Sequence, residues 1–543
     1  MKAPVEQIEV YPEELRQLVE RAREAPLEEA GCRKLNALID TFEYVTRLLE
    51  DQQTTIHALR QLLLKPSTEK TEKVLQKVGL ETPREKKSQS SDGKMTESKA
   101  KGHGRNAAAA YQAAQKIRIP HSSLQAGDQC PNCQQGKVYA QKEPCLLVRI
   151  VGQAPLAATV YQMERLRCNL CGEVFSAEAP DGVGTKKYDE TAASMIALLK
   201  YGSGFPFYRL EGLQEHLQIP LPAATQWEII AAAATRIQLA MDELIRQAAQ
   251  GKVLHNDDTS MKVLRLMKPM VFVEEDSSDP PERTGVFTSG IVSTTDDRKI
   301  ALFFTGRKHA GENLSTVLAR RAAALGPPIQ MCDALARNLP KPLEVILGYC
   351  LAHSRRRFVE VAPNFPSECR YVLEALGEIY HHDEWAREQG LTPEQRLYFH
   401  QTHSGPAMEK LHVWLTAQLE EKRVEPNSGL GQAITYMRKH WEKLTLFLRQ
   451  AGAPLDNNLC ERALKKAILH RKNALFYKTR NGARVGDLYM SLIHTAELCG
   501  TNPFDYLTEL QRHGAELQQN PQAWMPWNYR QALEGTDAAG VAA

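Results

Sequence analysis

Apolar residues recur at alternating steps of three and four near the start of the chain: Leu35, Leu38, Phe42, Val45, Leu49, Gln52, Ile56, Leu59 and Leu63. This heptad predicts a coiled coil with Gln52 as a register-setting polar residue in the seam. An amphipathic helix packed on its own domain has the same spacing. Pro66 ends the element. Further on, FYRLEGLQEHL, QIPLPAA and TQWEIIAAAATRIQLAMDELI predict helix, turn, helix. Pro220 and Pro222 supply the break and Thr225 stands at the N-cap position. A helix-turn-helix suits DNA reading, but this second helix is Ala-rich with few basic residues near its start, which favours a packing role.

From Val253 the period shortens. VLHNDDTSMKVL predicts a strand leading into carboxylates, and GVFTSGIVST and KIALFFTG predict a hairpin turning at TDDRK. ENLSTVLARRAAAL has helical period, PPIQMCDALARN reads as a short strand ending at an acid, and EVILGYCLAH as another strand. This β-β-β-α-β order predicts a mixed sheet covered by helices, with acids at strand ends, where open sheets hold ligands. Residues 362–450 read as largely helical. PLDNNLCERALKKAILHRKN predicts one more helix, with Asp456 as N-cap and Asn457, Asn458 and Glu461 sharing its first turns.

A length of 543 residues implies about three or four domains. With 43% hydrophobic and 24% charged residues, a sizeable core is available. No run reaches the ~18 apolar residues of a membrane span. The opening MKAPVEQIEVYPEEL has no apolar signal core, so a cytoplasmic location without membrane contact is expected. The net charge of +3 hides an uneven distribution: Lys65 to Arg118 carries thirteen Lys/Arg against six acids. That stretch reads as a basic disordered linker, either a spacer or a contact for phosphate backbone.

Of eleven cysteines, four form two C-x-x-C pairs, Cys130/Cys133 and Cys168/Cys171, thirty-four residues apart. Paired knuckles of this kind close a tetrahedral thiolate site for one structural Zn²⁺. The β-formers between them suit a zinc ribbon. Cys350-x-x-His353 is half of a further metal pattern, with no second half evident in sequence.

Three acids stand out: Asp257 and Asp333 at strand ends, and Glu461 in a stretch from Arg449 to Arg484 with nine Lys/Arg and two acids. Carboxylates gathered at one place repel one another unless a cation lies between them. Mg²⁺ is held by one or two carboxylates plus substrate phosphates, and two such ions serve in-line phosphoryl displacement. No G-x-x-x-x-G-K-[ST] nucleotide loop is present.

LHNDDTSMKVL, IQMCDALARN, GYCLAHSRRRFVEV and above all PLDNNLCERALKKAILHRKNALF resemble segments of the transposases of the insertion-sequence-sixty-six family. LRQLLLKPSTEK, the paired C-x-x-C motifs, YGSGFPFYRLEGLQ, NPFDYL and MPWN extend the resemblance over most of the chain. It implies a bacterial DDE transposase with a ribonuclease-H-like catalytic domain. Asp257, Asp333 and Glu461 would hold two Mg²⁺ ions, and His353 would act near the scissile phosphate. Where the family usually reads D-E-T-P, this chain has Asp257-Asp258-Thr259-Ser260, which makes Asp258 a rival first ligand. Accessory positions are Asp258, His353, Asn457 and Asn458. Arg355, Arg356, Arg357, Arg462, Arg471 and Lys472 are candidates for DNA phosphate contacts.

The expected organisation is multidomain α plus α/β. It comprises an N-terminal helix and coiled coil (1–65), the linker (66–119), a zinc-ribbon DNA-binding domain (120–180) and a helical DNA-binding region (181–250). A ribonuclease-H-like core follows (251–365 and 453–500), with a helical insertion (366–452) and a C-terminal tail (501–543). The expected activity is metal-dependent cleavage at terminal inverted repeats and strand transfer to target DNA. Expected partners are double-stranded DNA, a second copy through the coiled coil, and accessory proteins of the same element. The rivals are a catalytically inert DNA-binding protein derived from such an element, and a structure-specific nuclease that cuts without joining.

Overall fold

The computed structural model describes residues 116, 123–139, 153–167, 174–184, 186–267, 283–295 and 297–541. The heptad, nearly all of the basic linker, and Cys168 and Cys171 lie outside these residues. Among the described residues no helix is long and apolar enough to cross a membrane.

A small hairpin comes first: β1 (Arg165–Arg167) pairs antiparallel with β2 (Val174–Ser176), with Leu166 opposite Phe175. Of the β-forming stretch ATVYQMERLRC, only Arg165–Arg167 is paired among the described residues, less than its composition suggested. Helices α1 (Glu190–Ala197), α2 (Phe207–His216) and α3 (Ala223–Ala248) follow. Asp189 caps α1 by accepting from the Ala192 amide at 3.0 Å. The N-cap expected at Thr225 is corrected: α3 starts three residues earlier, with Pro222 in the cap. Proline's fixed φ suits the chain to enter a helix there, and its missing N–H is no loss at a helix start. Ile230, Ala233, Ala234, Ile237, Ala240, Met241, Leu244 and Ala248 form one buried stripe of α3. Their three- and four-residue spacing turns that face into the core. The small alanines let neighbouring elements approach closely.

The main sheet contains β3 (Val253–Ser260), β4 (Phe287–Thr294), β5 (Lys299–Gly306), β6 (Ile329–Cys332) and β7 (Ile346–Tyr349). Its spatial order is β5-β4-β3-β6-β7. The first three strands are antiparallel neighbours, whereas β3, β6 and β7 run parallel. All five strands and the helical character of ENLSTVLARR agree with the sequence pattern. Helix α4 (Ala310–Leu318) follows β5, and α5 (Leu351–Val361) follows β7. The chain then runs through α6 (Pro366–Glu388), α7 (Pro393–Phe399), α8 (Gly405–Glu420) and α9 (Gly429–Lys439). It returns to the sheet as α10 (Asn458–Ala474) and α11 (Arg480–Leu498).

Strands β3 and β4 are buried on both faces because helices cover each side. Helix α4 covers one face, where Asn313 donates to Ser289 Oγ at 2.8 Å. Helix α10 covers the other. Helix α11 runs along β5, the outer strand, and meets its free amides with side chains four residues apart. The amides of Ala301, Phe303 and Thr305 donate to Thr495 Oγ1 (3.0 Å), Ser491 Oγ (3.0 Å) and Asp487 Oδ2 (2.6 Å). An uncovered edge strand is a template for pairing with other chains. Here that edge is closed from within.

Candidate active site

The parallel strands set the site. The register pairs Val253 with Ile329, and Cys332 with Tyr349. Carried past the strand ends, it sets Asp257, Asp333 and Cys350 level in a row across β3, β6 and β7. Asn338, in the turn after Asp333, ties the first two together: its Nδ2 donates to Asp333 Oδ1 and lies 3.4 Å from Asp257 Oδ1. Burial, then the charge of Asp333 and, more weakly, that of Asp258 push the Asp257 carboxyl up to about 7. Burial also raises Asp333. Of two acids sharing one donor in a half-dry place, at least one is driven towards its protonated form unless a cation relieves them.

Glu461 arrives from the other side, on the first turn of α10. Asp257 pairs with Gly290 of β4, so both face the same side of the sheet. A Cβ on Gly290 would sit 2.9 Å from Leu464 Cδ2 and 3.4 Å from Cys460 Sγ. The missing side chain is what admits α10 so close to β3. Asn457, fully buried, then locks the helix start. Its Oδ1 lies 3.1 Å from His255 Nδ1, its Nδ2 donates to Asn256 O at 3.1 Å, and its amide donates to Cys350 Sγ at 3.2 Å. Asn457 is itself the N-cap, which corrects the expectation for Asp456. Asp456 instead accepts from the Asn458 amide and from Asn458 Nδ2. Two of the expected accessory residues are therefore helix-start fixtures.

His353 stands between the two halves. Its Nδ1 lies 3.7 Å from Glu461 Oε1. Neither His353 Nδ1 nor Glu461 Oε1, both buried atoms, has a hydrogen-bond partner. Arg356 lies 3.9 Å from Glu461 Oε2. Among the described residues, the trio of His, Cys, Asp and Glu whose ligand atoms all lie within 4.8 Å of one another is Cys350, His353 and Glu461. The Cys350-x-x-His353 pattern thus has the second half that the sequence did not reveal, 108 positions after His353. The three acids are not gathered so tightly. Asp257 and Asp333 meet at Asn338, and Glu461 meets His353. The buried Cys460 thiol, pushed well up by burial, feels Asp257 and Glu461 together.

Asp258 points the opposite way, as strand alternation requires. It pairs with His309 Nδ1 at 2.8 Å and with Arg337 at 3.3 Å. Its side chain is 1% exposed, so its oxygens are committed to these partners. The basic candidates separate as well. Arg355 is buried, Arg357 stacks 3.9 Å over the Tyr436 ring, and Arg471 binds Thr259 and Ser260 at the end of β3. Arg462 and Lys472 are exposed on α10. Asn338, Gly290, Cys460 and His309 were not singled out from sequence. The one available signal was Asn338's place in CDALARN, five residues after the acid.

Cys130 and Cys133 sit in a knuckle turn. The Gln134 amide donates to Cys130 O at 2.9 Å, the Gly136 amide reaches Cys133 Sγ at 3.5 Å, and Gln129 bridges to Lys137 across the turn. Backbone N–H groups of Gly136 and Gln135, followed by Cys130, lower the Cys133 thiol. Amides aimed at a thiol favour its thiolate form, the form that ligates metal.

One acid inside β3 (not at its end, as the sequence pattern suggested), a second just past β6, and a carboxylate on a helix locked against the sheet form the candidate site. The chain belongs to the Transposase IS66 family, whose family model matches residues 186–485. That span runs from α1 into α11 and holds all three acids. Three uncharacterized proteins of Sinorhizobium fredii (strain NBRC 101917 / NGR234) are similar to it. y4jD is 31% identical over 34% of this chain and 36% of its own length. y4hP is 24% identical over 69% of this chain and 68% of its own, and y4qI 24% over 63% and 62%. The chain thus spans about a third of y4jD and about two thirds of the other two. No solved structure matches the chain.

Proposed function

We propose that the chain is a DDE-type transposase that cuts DNA at the terminal inverted repeats of its element and joins the freed 3′ ends to target DNA. The observation that carries this is the Asp257–Asn338–Asp333 bridge, level with Cys350, facing the helix that Gly290 and Asn457 hold against β3. Such an acid pair, with Asp257 driven up to about 7, fits a divalent cation. The orphaned Glu461 Oε1 fits the same need. The three acids need not share one coordination sphere, since two ions ~3.5–4 Å apart each take a different subset of ligands. The strand order β5-β4-β3-β6-β7 with acids on β3, after β6 and on α10 supports the ribonuclease-H-like assignment.

Asp257, Asp333 and Glu461 would hold magnesium, which supplies activation of the attacking oxygen and stabilisation of the leaving one. Asn338 holds the two aspartates in register and donates to their charged forms. Arg356 places positive charge, and His353 a ring nitrogen, beside Glu461, where the phosphate backbone would approach. Arg462 and Lys472 offer screened contacts along the same helix. The Cys130/Cys133 knuckle and the β1–β2 hairpin, which flanks Cys168 and Cys171 in sequence, support a zinc ribbon that recognises DNA. The coiled coil would pair protomers, and accessory proteins of the element would assist. The test converts Glu461→Gln and Asp333→Asn separately and measures end cleavage and joining with Mg²⁺. Each should lose at least ~10³-fold in rate, as loss of a metal ligand implies. Unchanged cleavage in either variant refutes the assignment. Cleavage without joining in the wild type points to a nuclease, and end binding without cleavage points to an inert derivative.

A further inference from the structure

We propose that Cys350, His353 and Glu461 form a second metal site, selective for a thiophilic divalent ion such as zinc, and that an ion seated there shuts the enzyme off by occupying Glu461. The inhibitory half rests on the transposase reading above; the site itself does not. The three ligands come from the starts of two helices far apart in the chain. Cys350 is the N-cap of α5, His353 lies in the first turn of α5, and Glu461 in the first turn of α10. The Asn457 amide donates to Cys350 Sγ and so fixes both helix starts at the sulfur.

The donor set decides the metal. Magnesium takes oxygen ligands in octahedral geometry and does not favour a thiol. A sulfur, an imidazole nitrogen and a carboxylate oxygen together suit zinc, with a fourth position left open. Zinc bond lengths imply ligand–ligand edges of about 3.3–3.6 Å. His353 Nδ1 and Glu461 Oε1 are already at 3.7 Å, and all three ligand atoms fall within 4.8 Å. Closing the site takes side-chain movements of about an ångström or less, given those bond lengths. His353 Nδ1 and Glu461 Oε1 lack hydrogen-bond partners, so coordination breaks no hydrogen bond of theirs. Both side chains are about a quarter exposed, and the ion enters from their side. Binding forms an S–Zn bond and releases the thiol proton to solvent. The Asn457 amide remains on the sulfur as the kind of outer contact that steadies a metal-bound thiolate. With its carboxylate turned to zinc, Glu461 no longer completes the magnesium set with Asp257 and Asp333.

The full chain is loaded with zinc in excess Mg²⁺ and stripped of free metal, and bound zinc is counted by mass spectrometry. The wild type is expected to hold one zinc more than Cys350→Ser, His353→Ala and Glu461→Gln. Any ribbon zinc is common to all four and cancels. Serine keeps an acceptor for the Asn457 amide; should Cys350→Ser unfold, His353→Ala, at a partly exposed position, decides the count. Equal zinc in the wild type and the folded variants overturns the site. In the second arm, end cleavage with Mg²⁺ is measured with and without added zinc, each protein against its own zinc-free rate. With the site filled by zinc, the wild type should approach the ~10³-fold loss expected of Glu461→Gln, and Cys350→Ser should lose much less. Equal sensitivity overturns the inhibitory role. A wild type that cuts no DNA sinks the transposase reading, while the zinc count still decides the site.

Discussion

Cys460 donates its thiol to the carbonyl of Gly290 at 3.3 Å, helix to strand, right beside Glu461 and Asp257. Glu461 follows Cys460, and Asp257 pairs with Gly290. The closeness of α10 and β4 at this one place therefore sets how near Glu461 comes to the aspartates. Gly290→Val fills that gap with branched carbons against Leu464 and Cys460. Overpacking should cost about 1–3 kcal/mol of stability. A displacement of α10 by about an ångström should lower end cleavage by about 10²-fold. Thermal unfolding and a cleavage assay check the two together. A variant that cuts at the wild-type rate would show that the spacing is not limiting.

Asp257 and Asp258 are neighbours with opposite duties. Asp258 is paired with His309 and Arg337 on the α4 face, while Asp257 faces α10. Asp257→Asn should abolish Mg²⁺-dependent cleavage. Asp258→Asn should retain it within about tenfold while losing about 1–3 kcal/mol of stability from the weakened charge pairs. The reverse ranking would make Asp258 the ligand and overturn the assignment of β3.

Asn457 joins three elements through one side chain and one amide. Asn457→Ala strips the buried Asn256 carbonyl and His255 ring of their partner. Each unsatisfied buried group costs about 1–3 kcal/mol. His255, held down to about 4 mainly by burial, stays neutral and so cannot recover the loss by ionising at neutral pH. Unfolding in denaturant should show a clear drop in midpoint. An unchanged midpoint would mean that the helix start is held by packing alone.

The sheet was legible because its strands carry buried β-branched runs, and the hairpin because TDDRK offers polar turn residues between two of them. The helix of Glu461 was legible from its period and the D-N-N-x-x-E-R block. Less accessible were contacts between distant positions. Cys350 with Glu461, and Asn338 with Asp257, are set by strand register and by the absence of a side chain at Gly290. Neither leaves a local pattern. The cap at Asp456 was misplaced because adjacent polar residues compete for one position, and that at Thr225 because a proline, which needs no side-chain cap, starts the helix earlier. Asn457 and Pro222 hold the two caps.

Asp487 provides a pH signature of the closed sheet edge. It is buried on α11 and accepts from the Thr305 amide and the Thr305 hydroxyl, each at 2.6 Å. Burial nonetheless pushes its carboxyl up to about 7, from an ordinary value of 3.8. The folded state therefore binds this proton at pH values where the unfolded chain has released it. Folded protein carries more protons between those two values, so its stability falls as pH rises from about 4 to about 7, and the contribution is flat above that. The slope is about 1.4 kcal/mol per pH unit at most, for one proton. Asp487→Asn keeps an acceptor for Thr305 but has nothing to titrate. The stability difference between wild type and Asp487→Asn should therefore move against the wild type between pH 5 and pH 8, read from denaturant unfolding. A difference that stays constant with pH would mean that the Thr305 hydrogen bonds hold Asp487 ionised throughout.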